Sequence, residues 1–295
     1  MATYPKVAIL VLNYNGSDCL PVCLASLQRL TYSNYQVVVI DNGSEDSSLG
    51  DAKMNFPKYL YLEKEENSGF AAGMNTGIQY ALQNEFEMCW LLNSDATVMP
   101  GTLGALIDAS QQNHKIEAMS PVIKDTSGKV WFAGGRINFW RMRTEHQKSI
   151  PSKHPYKTNF LTGCAPLFTT ALLEKVGFFD EHFFLYYEDA DLSVRIQKAG
   201  NNLYVVPAAN VLHTEKSNTN EQKLYYLVHF GLLFFALHTP RLLRPYIVAY
   251  VTIRRLVNKI KLLFGLSGAK TVAQAYADYF EKFQGGYKLY LRKLS

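Results

Sequence analysis

Four short apolar runs in the first 95 residues constrain this chain more than anything else in it: KVAILVLNY (6–14), YQVVVID (35–41), KYLYLE (58–63) and MCWLLNSD (88–95). Each is rich in β-branched or large apolar side chains and reads as a strand, while the stretches between them carry helical patterns. This βαβα rhythm predicts an α/β fold with a mostly parallel central sheet covered by helices on both faces, because parallel strands are joined by crossover helices. Ligands of such sheets bind beyond the carboxyl ends of the strands. The residues there are polar: Asn13 and Asn15, Asp41 and Asn42, Asn67, then Asn93 and Asp95.

From about 117 to 168 the runs shorten and fill with Gly and Pro, which predicts hairpins and loops. A helix near 170–176, an acidic loop, and strands near 203–206 and 210–213 complete the expected domain. After HTEKSNTNEQ the chain turns to long apolar helices. Residues 224–237 are too few for the ~20 that a membrane crossing needs, and Pro240 and Pro245 break the helix or restart it. Residues 246–264 alternate an apolar side with a basic one, the pattern of a helix lying in a membrane interface. The expected organisation is a domain over 1–220, with a nucleotide-binding half at 1–100 and an acceptor-binding half at 101–220, and an amphipathic basic helical region over 221–295.

Net charge is +5, but Leu224 to Phe264 alone holds Arg241, Arg244, Arg254, Arg255, Lys259 and Lys261 with no Asp or Glu. The basic charge is therefore regional and interleaved with apolar side chains; an anionic inner-leaflet membrane surface is the expected partner and nucleic acid is not. Cys19, Cys23, Cys89 and Cys164 stand singly, without zinc-site or disulfide spacing, and are expected to be reduced and mostly buried, as suits a cytoplasmic protein. The N-terminal apolar run is followed by Asn and Gly where a secretory signal needs a small-residue cleavage site.

Asp95 ends a strand ahead of a turn, where a carboxylate can hold Mg²⁺ or Mn²⁺ together with diphosphate oxygens, or can simply cap the turn. An ionised Asp41 accepts a hydrogen bond from the N3–H of uracil or thymine, which cytosine lacks; DNGS is also an ordinary turn. Asn67 to Asn75 has glycines at 69 and 73 where a helix begins, so backbone N–H groups can approach a phosphate or ribose. Glu188, Asp189 and Asp191 follow Phe184, Leu185, Tyr186 and Tyr187 directly. Asp191 opens DLSVRIQKAG, an amphipathic segment ending at Gly200, and reads as its N-terminal cap or as a partner of its dipole.

The segments VAILVLNYNG, VVVIDNGSEDSS, ENSGFAAGMNTGI, LLNSDATVMP and LYYEDADLSVRIQKAG, in that order over roughly residues 5–215, resemble family 2 glycosyltransferases, most of all a rhamnosyltransferase-like branch. The resemblance implies a GT-A fold, Rossmann-like with a C-terminal helical appendage, a nucleotide-sugar donor, a divalent cation, and inversion at the anomeric carbon. It assigns Asn13, Tyr14, Asn15, Asp41, Asn67, Gly73, Asn93, Ser94 and Asp95 to the donor. Asp95 and His213 are the implied metal ligands, Asn93 standing where an acid is usual. Asp189 is the implied catalytic base, and Glu188, Trp131, Tyr187 and Gly163 the acceptor side, with Trp140 a further candidate for the acceptor groove.

The expected activity is therefore transfer of a hexosyl group, rhamnosyl among the candidates, from a UDP- or dTDP-sugar to a saccharide or lipid-linked acceptor in cell-surface polysaccharide synthesis. Two alternatives stay open: a catalytically silent nucleotide-sugar-binding protein, which Asn93 would permit, and a nucleotidyltransferase, against which stands the absence of Lys and Arg from NYNGSDCLP. The C-terminal helices have three competing uses: membrane contact, a homodimer interface, or a cap on the enzyme domain.

Overall fold

A computed structural model describes residues 4–214 and 220–291. The chain opens with β1 (Val7–Asn13), α1 (Leu20–Leu27), β2 (Tyr35–Asn42), α2 (Ser48–Asn55), β3 (Leu60–Lys64), α3 (Gly69–Gln83) and β4 (Met88–Asn93). Next come β5 (Ala96–Val98), α4 (Thr102–Gln112), β6 (Ala118–Asp125), β7 (Val130–Phe132), β8 (Gly135–Asn138), β9 (Arg143–His146), β10 (Tyr156–Thr158) and β11 (Leu167–Thr169). The remainder is α5 (Thr170–Val176), α6 (Glu188–Lys198), β12 (Leu203–His213), α7 (Glu221–His238), α8 (Arg244–Leu263) and α9 (Ala269–Leu291), with a 3-10 turn at Arg241–Leu243 before α8.

The chain forms two compact units. The first comprises 1–137, 144–182 and 188–216, and the second 138–143, 183–187 and 217–295. In the first, one sheet runs β10-β12-β6-β11-β4-β1-β2-β3, with β5 added on β12 and β7 on β6. Its β3-β2-β1-β4 half is parallel, as the βαβα rhythm requires. β11 is antiparallel to both β4 and β6, and β12 returns parallel to β6. Val7 to Val11, Val37 to Ile40 and Cys89 to Leu92 are almost wholly buried, which is why these strands read as continuous apolar runs rather than alternating ones.

The expected strands at 203–206 and 210–213 are one element. β12 shifts register against β6 between Val206 and Asn210, and Pro207, which has no N–H to give a ladder, stands inside that irregularity. Helix α3 lies close on the sheet because Gly73 and Gly77 present no side chain to it: a Cβ on Gly73 would fall 2.6 Å from Leu12 Cδ1, and one on Gly77 2.8 Å from Ile40 Cδ1. Gly73 thus faces the strands from the second turn of α3.

The second unit is helical. Phe230, Phe234 and Phe235 of α7 are buried, and Tyr187 stacks on Phe234 with centroids 5.4 Å apart. In the link to α9, Asn258 Nδ2 of α8 donates to Ala269 O at 2.9 Å. Among the described residues no helix is long and apolar enough to cross a membrane.

Candidate active site

The site grows from the carboxyl ends of β1, β2 and β4. Asn13, at the end of β1, is fully buried and donates from Nδ2 to Asp41 Oδ1 (2.8 Å), Ser44 Oγ (3.1 Å) and Ser48 Oγ (2.8 Å). Asp41 Oδ1 also accepts from Ser44 Oγ, and its Oδ2 from the Ser44 N–H. Three of the roughly four lone-pair directions of this buried carboxylate are therefore spent, one on Asn13 and two on Ser44, and one on Oδ2 remains. Asn15, at φ 51, carries the loop outward: its N–H donates to Ser44 Oγ and its Oδ1 accepts from the Glu45 N–H. Tyr14 between them is 47% exposed, an aromatic face open beside the strand end.

Asn42, one residue past Asp41, holds the next loop. Its Nδ2 donates to Asn67 Oδ1 (3.0 Å) and Gly69 O (3.1 Å), while its Oδ1 accepts from both the N–H and Oγ of Ser68. Asn67 Oδ1 also accepts from the Gly69 N–H at 2.9 Å. Asn67 is thus positioned by Asn42, a residue that strand-end polarity points to but to which the family resemblance gives no role.

At the end of β4, Asn93 donates its N–H to Cys164 O at 2.9 Å, and Ser94 Oγ lies 3.8 Å from the Cys19 sulfur. Asp95 then meets His213, because β5 and the end of β12 pair with Ala96 opposite His213. Asp95 Oδ1 and His213 Nε2 are 3.1 Å apart, yet not aligned as a hydrogen bond, and neither Asp95 Oδ1 nor His213 Nδ1 has a hydrogen-bond partner among the described residues. Burial opposes charge on His213, but the Cys164 sulfur and the Asp95 carboxylate outweigh it and hold the imidazole pKa up to about 11. A carboxylate oxygen beside an imidazole nitrogen is a donor pair that fits a divalent cation, which would bind the deprotonated ring and displace its proton. Among the described residues no cluster of three or more His, Cys, Asp or Glu gathers to hold a metal, so diphosphate and water would complete the shell. Trp131 stands edge-on to His213, centroids 4.7 Å apart, and to His146 at 4.5 Å, which sets it beside the Asp95–His213 pair.

The acidic cluster sits at the N-terminus of α6. The helix starts at Glu188, three residues earlier than expected, since three acids in its first turn favour the positive end of the helix dipole. Asp191 is consequently not a cap: it lies inside the first turn and pairs with Arg195 Nε at 2.7 Å, and Arg195 also donates to Val176 O and Phe178 O. Asp189 Oδ2 accepts from the Gly163 N–H (2.9 Å) and Oδ1 from the Ala190 N–H (2.7 Å). Burial outweighs these bonds and raises its pKa from 3.8 to about 6. A Cβ on Gly163 would stand 3.2 Å from Phe70 Cζ, so a side chain here would push that ring by a few tenths of an ångström. Glu188 is 5% exposed, its Oε2 has no partner among the described residues, and burial, then the charges of Asp189 and Asp191, raise its pKa well above 4.5. Tyr187 belongs to the helical unit, where Phe234 and Phe235 occupy its ring; Trp140, 58% exposed, sits there too, 4.9 Å from Tyr246. None of the four cysteines is in a disulfide; Cys19 is half-buried and the others are buried.

The mostly parallel sheet, flanked by helices and carrying polar residues at its strand ends, is a GT-A fold. The chain belongs to glycosyl transferase family 2, which it matches over residues 8–177. It is similar to the N-acetylglucosaminyl-diphospho-decaprenol L-rhamnosyltransferase of Mycobacterium tuberculosis, at 28% identity over 76% of this chain and 80% of that one. The dTDP-rhamnosyl transferase RfbF of Shigella flexneri is 23% identical over 64% of this chain and 63% of its own. Among solved structures, GalNAc-T7 with UDP, GalNAc and Mn²⁺ shares the fold with TM-score 0.62 and 17% identity, over 78% of this chain. The chain spans about half the length of that protein, 48%. Staphylococcus aureus TarS gives TM-score 0.55 at 18% identity, over 77% of this chain and 39% of its own.

Proposed function

We propose that this glycosyltransferase moves a sugar from a UDP- or dTDP-sugar, with dTDP-rhamnose the first candidate, to a saccharide or lipid-linked glycan in cell-surface polysaccharide synthesis, inverting the anomeric carbon. The names of the Mycobacterium and Shigella relatives support the choice of donor, and the former also the lipid-linked acceptor. The observation that carries the mechanism is Asp189, a carboxylate whose pKa of about 6 suits a general base near neutral pH and whose geometry is fixed by the Gly163 N–H. Its carboxylate takes the proton of the acceptor hydroxyl as that oxygen bonds to the anomeric carbon, and the bond from that carbon to the diphosphate breaks with its electron pair leaving on the diphosphate oxygen.

Asp95 and His213 would hold Mg²⁺ or Mn²⁺, which when bound neutralises the negative charge of the diphosphate. On the donor side, the free Oδ2 direction of Asp41 accepts the base N3–H, and Tyr14, Asn15, Asn67, Asn93 and Ser94 line the nucleotide, with Asn13 and Gly73 keeping Asp41 and α3 in place. Glu188 and Trp131 contact the acceptor. Residues 1–100 serve the donor, 101–220 the acceptor, and the protein works in the cytoplasm, peripheral on the inner face of the membrane where lipid-linked acceptors are presented.

The test is incubation with a panel of UDP- and dTDP-sugars plus Mn²⁺ or Mg²⁺, reading released nucleoside diphosphate and nucleotide binding. Slow donor hydrolysis confined to one or a few donors is expected; failure to bind any nucleoside diphosphate would overturn the reading.

A further inference from the structure

Helix α8 turns one side to the link with α9 and leaves a bare apolar stripe on the other. Ile247 and Asn258 are buried, whereas Ile253 (59%), Leu256 (54%), Val257 (45%), Ile260 (54%), Leu263 (86%) and Phe264 (75%) are exposed. At about 100° per residue these six fall on one face, roughly opposite Ile247 and Asn258. Arg254 and Lys261 border the stripe on one margin and Lys259 on the other, while Arg244 and Arg255 lie on the side opposite the stripe. No acid occurs anywhere from Leu224 to Phe264.

We propose that this stripe seats α8 flat in the interfacial layer of an anionic lipid bilayer, which rests on and sharpens the membrane-peripheral location proposed for the enzyme. Contiguous exposed apolar side chains of this number mark an interaction surface rather than ordinary solvent-facing variety. Cations on both margins complement lipid phosphates at the depth where an interfacial helix buries its apolar side. A second copy of the chain fits worse: a two-fold interface built on this stripe would bring the cations of each margin against those of the partner, with no carboxylate on the helix to pair them. On one margin Arg254 is also held by the helix itself, standing over the Tyr250 ring.

The experiment is co-sedimentation of the purified full chain with phosphatidylcholine vesicles, with and without phosphatidylglycerol, over a salt series. Wild type should partition onto the anionic vesicles and release as salt rises. Arg254→Glu with Lys261→Glu should weaken partitioning by more than about ten-fold, each cation being worth roughly five-fold. Ile260→Asp should weaken it comparably with circular dichroism unchanged, because its side chain is exposed. Nucleotide binding in solution should be the same in all three proteins; its loss from wild type would count against the proposed function and leave the vesicle result intact. Equal binding to neutral and anionic vesicles, or no binding together with a dimer that Ile260→Asp dissociates, would overturn the proposal.

Discussion

His213 Nε2 stands 3.1 Å from Asp95 Oδ1, close enough to attract but not aligned to share a hydrogen bond. That relationship follows from topology, because β5 pairs antiparallel with the end of β12 and brings Asp95, the residue before β5, against His213, the last residue of β12. If the pair serves a cation, His213→Ala and Asp95→Asn should each lower Mn²⁺ affinity in the presence of nucleoside diphosphate by about 10-fold or more. Electron paramagnetic resonance of free Mn²⁺ reads this directly; unchanged titrations in both variants would remove the pair from the metal site.

If Asp189 is the base proposed above, it sets the pH dependence of transfer. Its pKa is raised from 3.8 to about 6 by burial, so the basic form appears only as pH rises through that value. The kcat/KM profile should therefore climb through a single acidic limb near pH 6. Asp189→Asn should cost about 10² to 10⁴ in kcat while nucleotide binding persists. Loss of donor binding with retained turnover per bound donor would reassign the residue.

Glu188 makes a separate prediction for stability. Its folded pKa lies well above 4.5, so the folded protein keeps a proton that the unfolded chain has released. That contribution is complete below about pH 4.5 and is lost as pH rises through the folded value. Glu188→Gln cannot titrate, so its stability relative to wild type should improve steadily from pH 4 to pH 8. Paired urea melts across that range check the sign; a constant difference would mean that the carboxyl titrates alike in both states.

Much of the fold was legible because the sheet is parallel and buried on both faces: Val7 to Val11 or Val37 to Ile40 leave few alternatives to a central strand, and the polar residues after them mark the ligand edge. The start of α6 was not, since Glu188, Asp189 and Asp191 are equally suited to an exposed loop, and only the clamp from Arg195 onto Asp191 and the 176–178 backbone distinguishes the two. Tyr187 shows a second limit: sequence places it beside the acids, but ring packing on Phe234 is a contact 47 residues away. The helices after 220 were visible as amphipathic segments, whereas no local signal told that 138–143 and 183–187 would join them.

Gly43 links the loops after β2 and β3 and gives the sharpest test of them. It has φ +74, and a Cβ there would stand 2.6 Å from the carbonyl carbon of Glu66 and 2.7 Å from its Cα. Left-handed backbone costs an L-residue about 1–2 kcal/mol, and overlap with main chain cannot be relieved by rotating a side chain. Gly43→Ala must therefore move either the turn after Asp41 or the backbone before Asn67, and those are the segments that Asn13 and Asn42 hold. A loss of about 3 kcal/mol or more in urea denaturation is expected, with weakened nucleoside diphosphate binding. Gly104→Ala is the matched control: no atom lies within 4 Å of its Cβ position inside α4, so alanine should stabilise by about 0.5–1 kcal/mol and leave binding alone. A Gly43→Ala protein that melts and binds like wild type would show that the two loops need no close crossing at this point.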